Sequence, residues 1–188
     1  MTWLSAAAGA SALRAAGISP YGEVRQAVRW TDRNGHNLLV ATLRVDMARP
    51  DGTPIAATLR VVHLVHLESQ PKTLRVLNDP SGPACDSDFL FDVTDDPSVA
   101  GDLDRDGYAE MSVAWSTSCL SEADRSRAKV ALLSNGRKYI LRGYGWPHGM
   151  PDGPGAWPEA SIDEVEPGGQ WPPGFRRAAE NLFIRLYH

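Results

Sequence analysis

The stretch EVRQAVRWTDRNGHNLLVATLRVD, residues 23–46, holds two apolar runs on either side of Asp32-Arg33-Asn34-Gly35. An Asn-Gly pair between strand-like segments favours a tight hairpin, because both residues tolerate positive φ. The stretch therefore predicts two paired strands, 23–31 and 37–46, and sets the rest of the chain in a β frame. Working outward, RPDGTP (49–54) reads as a second turn with Asp-Gly at its centre. It leads into IAATLRVVHLVHLES (55–69) and KTLRVLND (72–79), both rich in the β-branched and aliphatic residues that strands prefer. DFLFDVTD (88–95), YAEMSVAWSTSC (108–119) and a hairpin turning at Asn135-Gly136 (128–144) complete the pattern. The count is about eight strands in a mostly antiparallel meander, a mainly β (α+β) class built as a sandwich or a strongly curved sheet.

Helices are expected only at the two ends. MTWLSAAAGASALRAAG has the small residues of a secretory cleavage region, but it has no basic start, and Arg14 interrupts its apolar stretch. It reads as a helix over 3–16, ended by Pro20 and Gly22. At the other end Phe175, Ala178, Ala179, Leu182, Phe183 and Leu186 fall on one helical face, which predicts a helix over 175–187. Between the β region, 23–143, and that helix lies a Gly/Pro-rich stretch, 143–174, carrying Trp146, Trp157 and Trp171. Aromatic anchors concentrate binding energy, so these tryptophans are candidates for a partner-binding surface, with core packing as the alternative.

The 188 residues are 43% hydrophobic, enough for a proper core, and no repeat or linker stands out, so one domain, 1–188, is expected. Basic and acidic residues number 19 and 23, for a formal charge of -4, with no basic cluster beyond Arg176-Arg177. Nucleic acid is not an expected partner, since phosphate binding needs a clustered basic footprint. No apolar run approaches the ~20 residues that cross a bilayer, so membrane insertion is not expected either.

VAGDLDRDGYAEMSVAW, residues 99–115, places carboxylates at every second position. Asp102, Asp104 and Asp106, then Gly107, the carbonyl of Tyr108 and Glu110, reproduce the oxygen spacing of a Ca²⁺ loop, in which alternating side chains converge and glycine permits the sharp turn. Calcium suits it better than magnesium, because Ca²⁺ accepts six to eight oxygens in a flexible arrangement. The twelfth position of the loop is Val113, where an EF-hand needs a bidentate glutamate, so an EF-hand is excluded. Strand-like flanks point instead to an ion that holds a β connection. A solvated acidic turn is the alternative.

Other chemistry is sparsely signalled. His63, His66 and Glu68 lie in one strand-like run, where His66 and Glu68 share a face, but no third zinc ligand is singled out. They read as histidines on the partly solvated face of a strand. Glu159, Asp163, Glu164 and Glu166 near Trp157 offer carboxylates for sugar hydrolysis, a reading that depends on their separation. No nucleophile elbow, P-loop, dinucleotide fingerprint or zincin motif occurs. Cys85 and Cys119 suffice for one disulfide or two free thiols.

The acidic loop resembles the calcium loops of FG-GAP and integrin-type β repeats, with Glu110 in the place of their last aspartate. More widely, WTDRNGHNLLV (30–40), Cys85 with Asp86 and Asp88, GDLDRDGYAEMSVAW (101–115), Cys119 and RKYILRGYG (137–145) resemble, in that order, a bacterial family of surface polysaccharide biosynthesis proteins. The resemblance covers about residues 28–145, and departs at Gly101 and at LSEADRSRAK (120–129). It implies a calcium loop and a Cys85–Cys119 bridge, with no chemistry attached. The expected function is a non-catalytic, Ca²⁺-stabilised β domain that binds a protein or glycan partner at the cell envelope or outside the cell. An immunity-type protein that neutralises a toxin by direct binding, and a carbohydrate-active enzyme, are the rival readings.

Overall fold

The structure is a computed structural model that describes residues 1–52, 54–81, 89–94, 100–119, 125–146 and 160–187. Contacts within the chain gather into two compact units: Met1–Cys85 with Asn135–Arg137, and Asp86–Ser134 with Lys138–His188.

The first unit is a five-stranded antiparallel sheet in simple sequence order, β1 (Thr2–Trp3), β2 (Glu23–Asp32), β3 (Gly35–Ala48), β4 (Pro54–Val65) and β5 (Lys72–Ser81). Helix α1 (Ala6–Ala15) starts later than expected. Ser5 supplies the cap, its hydroxyl accepting from Ala8 N at 3.3 Å, so the helix cannot extend back to Trp3. Thr2 and Trp3 pair instead with Arg29 and Val28 as an added strand. Ala12 and Leu13 of α1 pack with Val24, Ala27, Leu38, Val40, Val62 and Leu64. The alternate residues Leu39, Ala41, Leu59 and Val61 are buried as well, which is why these strands read as continuous apolar runs rather than as alternating ones.

The two Asn-Gly turns differ. At the second, both Asn135 and Gly136 take positive φ, 40° and 76°, as the sequence predicts. At the first, only Gly35 does, at 74°, because the Asp32 carboxylate captures the Asn34 N–H at 2.7 Å and forms an Asx turn ahead of it. The paired ends Asp32 and Gly35 still close the hairpin in register.

The second unit is a six-stranded antiparallel sheet. In chain order it contains β6 (Phe89–Val93), β7 (Ala100–Gly101), β8 (Glu110–Cys119), β9 (Ser126–Ser134), β10 (Arg137–Gly145) and β11 (Ser161–Glu166). Its spatial order is β11-β10-β9-β8-β6, with β7 also pairing to β8. Helix α2 (Phe175–Tyr187) has the bounds its periodicity predicted. Its Phe175, Ala179, Leu182, Phe183 and Leu186 pack with Ala128, Val130, Leu132, Tyr139 and Leu141 of the sheet. Burying each large side chain in this way contributes about 2 kcal/mol.

All eight expected strands form, and three more join them. Two of these, β1 and β7, are only two residues long. The third, β11, lies inside the stretch expected to be an irregular loop. It is held to β10 by its charges: Arg142 bonds Glu164 at 2.9 Å and Glu166 at 2.6 Å, and Lys138 reaches Glu166 at 2.9 Å. These two cations hold the Glu166 carboxyl below its ordinary pKa, Lys138 having the larger effect. No helix among the described residues is long and apolar enough to cross a membrane.

Candidate metal centre

The acidic loop joins β7 to β8. Ala100 and Gly101 pair with Met111 and Glu110, so the two ends of the loop are tied together by sheet hydrogen bonds. Between them the aspartates fold the backbone around themselves. Asp102 accepts from Asp106 N through Oδ1 and from Gly107 N through Oδ2, each at 3.0 Å, and Asp106 Oδ1 accepts from Tyr108 N at 2.9 Å. Arg105 and Gly107 take positive φ, 65° and 90°, which lets the chain reverse within so few residues. As a result one oxygen of each of Asp102, Asp104 and Asp106 lies within 4.8 Å of the others. The alternation read from the sequence does bring these three carboxylates to one place.

Glu110 is the residue whose setting the sequence did not reveal. At the first position of β8 it is 0% exposed, in contrast with the exposed Asp102 and Asp106 and the half-buried Asp104. Its Oε2 accepts from Leu103 N at 2.7 Å, inside the loop. Its Oε1 is buried and has no hydrogen-bond partner. Burial pushes its pKa up to about 7, and the charges of Asp104 and Asp106 add to the rise; the Leu103 N–H and the Ser134 hydroxyl pull the other way. The oxygens that converge are those of Asp102, Asp104 and Asp106; Glu110 is not one of that group and receives the Leu103 N–H. Three convergent carboxylates are hard anionic oxygens of the kind a divalent cation takes. The Tyr108 N–H donates to Asp106 Oδ1, which fixes the backbone at the position expected to offer its carbonyl.

The other candidates fare differently. His63 is buried, 2% exposed, not on a partly solvated face, and its Nε2 bonds Asn37 Oδ1 at 3.0 Å. Burial lowers its pKa to about 4. His66 takes φ 56° after the end of β4 and is exposed, so the expected shared strand face with Glu68 does not form. Glu68 pairs instead with His36 Nε2 at 2.9 Å. Among the hydrolytic candidates, Glu164 and Glu166 are consumed by the ion pairs with Arg142 and Lys138, and the lowered pKa of Glu166 is the reverse of what a general acid needs. Asp163 is an exposed residue of the same strand. Glu159 and Trp157 lie outside the described residues.

Of the tryptophans proposed as anchors, Trp171 is a core residue, 5% exposed. It packs against Tyr139 with ring centroids 5.2 Å apart and donates to the Pro167 carbonyl at 3.0 Å. Flanking prolines and glycines made it look like a loop residue, whereas its indole has the area to fill a gap between α2 and the sheet. Trp146 is half-buried at the end of β10, its backbone N–H donating to the Tyr187 carbonyl. Cys119 is not a free thiol, and Cys85 lies outside the described residues.

The hairpin motif WTDRNGHN has a structural explanation. Asp32 accepts from Trp30 Nε1 (2.9 Å), Asn34 N (2.7 Å) and Asn37 Nδ2 (2.9 Å), so the carboxylate cross-links both strands and the turn. Its spacing serves the fold.

Compared with family models, with curated proteins and with solved structures, the chain matches none.

Proposed function

We propose that the chain is a calcium-stabilised β protein that carries out no reaction at this loop and works by binding a protein or glycan partner at the cell envelope. Asp102, Asp104, Asp106 and Glu110 supply carboxylate oxygens to Ca²⁺, and Tyr108 its carbonyl. When bound, the ion supplies charge neutralisation and a fixed point for the β7–β8 connection. The observation that carries this reading is the convergence of one oxygen from each of Asp102, Asp104 and Asp106 within 4.8 Å, in a loop whose fourth acid, Glu110, is buried. An acidic turn made only for solvation has no reason to bury its fourth carboxylate, because an uncompensated charge in that position costs several kcal/mol. The resemblance to surface polysaccharide proteins supports the envelope setting and a Cys85–Cys119 bridge as a second staple.

Thermal melting with EDTA and with added Ca²⁺ tests the reading. At calcium one hundred times the dissociation constant, binding to the folded state alone contributes about 2.7 kcal/mol. For a chain of this size that raises Tm by about 5–10 °C. Superimposable melts under the two conditions, with no heat of Ca²⁺ binding by calorimetry, would overturn it.

A further inference from the structure

We infer that the first unit carries an esterase site, built from Thr31, His36 and Glu68, that hydrolyses small carboxylic esters. All three residues belong to that unit, so the site stands or falls independently of the calcium reading.

The Asp32 cross-link accounts for the tip of the first hairpin but not for Thr31 and His36, which flank it. These two residues lie directly opposite one another on β2 and β3, so their side chains share a face. The Thr31 hydroxyl and His36 Nδ1 are 3.1 Å apart. The Leu67 N–H donates to the His36 carbonyl at 3.3 Å, which brings the segment after β4 alongside β3. There Glu68 Oε1 meets His36 Nε2 at 2.9 Å. Hydroxyl, imidazole and carboxylate thus stand in one hydrogen-bonded line. An ionised carboxylate only accepts, so the neutral ring carries its proton on Nε2 and keeps the Nδ1 lone pair for the Thr31 O–H. That is the protonation a general base needs, with a third group fixing the ring.

The three side chains open on one hollow of about 490 Å³, a volume in the range of small-molecule sites. The buried Trp30 and half-buried Leu67 line it as well and offer apolar surface to an acyl or aryl group. Arg29 stands two positions before Thr31, hence on the same face of β2, and its side chain also lines the hollow. Its guanidinium is a cation for the carbonyl oxygen as charge builds there. Thr31 and His36 are exposed, so a substrate reaches the hydroxyl without any movement of the chain.

In the first step Thr31 Oγ1 bonds to the ester carbonyl carbon as its proton passes to His36 Nδ1, and the alcohol oxygen leaves with the C–O electron pair and takes that proton. In the second, water attacks the acyl carbon on Thr31, its proton passing through His36 Nδ1 to Thr31 Oγ1, and the carboxylic acid departs. Nothing is oxidised or reduced, and water is the co-reactant.

Hydrolysis of p-nitrophenyl acetate by the full chain, with peptide mass spectrometry of protein quenched during turnover, tests the site. The acetyl group should be found on Thr31. Thr31→Val and His36→Gln should each lower kcat/KM roughly a hundredfold, the double variant should be no worse than either single one, and Thr31→Ser should retain the activity. Glu68 reaches His36 rather than the substrate and is a positioning residue, so Glu68→Gln should lower kcat and leave KM in place, with Glu68→Asp recovering part of the loss. Hydrolysis no faster than in buffer, acetyl on histidine or lysine side chains alone, or a Thr31→Val variant as active as wild type overturns the proposal. All three side chains are exposed, so the variants should fold. Should one fail to, the position of the acetyl group on the wild-type chain still decides.

Discussion

Replacing Glu110 with glutamine removes one ionisable group and little volume, and its effect should depend on pH and on calcium in opposite senses. In the fold the carboxyl is pushed from its usual 4.5 up to about 7. The folded, ion-free protein therefore holds a proton more tightly than the unfolded chain does between those values. Stability falls as pH rises through that window, because the unfolded state releases the proton first. At about 1.4 kcal/mol per tenfold, the full difference amounts to about 3 kcal/mol, of which about 2–3 kcal/mol falls between pH 5 and pH 8. In EDTA the wild-type protein should lose that much relative to Glu110→Gln across the interval, whatever constant offset the amide introduces. Calcium reverses the order. Binding expels the proton, so wild-type affinity should climb by up to about tenfold per pH unit below 7, while the variant binds weakly at every pH. Urea unfolding followed by tryptophan fluorescence, at four pH values with and without Ca²⁺, measures both effects. Parallel pH profiles for the two proteins in EDTA would refute the argument, because they would mean that Glu110 is not held in a desolvated site.

Three further outcomes follow from the described contacts. His63, buried and lowered from 6.5 to about 4, stays neutral in the fold, so stability should drop by about 2–3 kcal/mol as pH falls from 7 to 4.5; a His63→Gln chain with undiminished acid sensitivity in urea titrations would assign that loss to another group. Asp32→Ala strands the donors of Trp30, Asn34 and the fully buried Asn37, and should cost about 3 kcal/mol, with Asp32→Asn milder; a change in urea midpoint equivalent to under about 1 kcal/mol would show that the cross-link matters little. Gly145→Ala would drive a Cβ into the Tyr187 carbonyl at the end of α2, so it should cost about 1–3 kcal/mol and speed exchange of the last turn of that helix, and unchanged exchange there would contradict the packing.

The β frame was legible because its signals are local. Alternation, branched side chains and two Asn-Gly pairs each act within a few residues, and so does the helical period of 175–187. What the sequence hid depends on partners far along the chain. Nothing within Thr2-Trp3 or 161–166 says that β2 or β10 has an open edge to receive them. Trp171 looks like a loop residue until Tyr139 is brought beneath it. Within the candidate site, the aspartates were readable because their spacing alone brings them together. The burial of Glu110 was not, because it follows from where β8 enters the sheet. His63 shows the same limit: period two assigns it a face, and only the neighbouring strand makes that face dry.

The alternating charges of Lys138, Arg142, Glu164 and Glu166 also guard a border of the molecule. Among the described residues β11 is the last strand of its sheet, and an outermost strand exposes backbone groups that another chain could zip onto. A ladder of opposite charges that is already satisfied within the chain leaves an incoming strand to desolvate it without recompense. Concentrated salt weakens such pairs, since the screening length shrinks to about 3 Å at 1 M. Self-association through this margin is therefore restrained most strongly in dilute buffer, and storage at high ionic strength works against the protein's own defence.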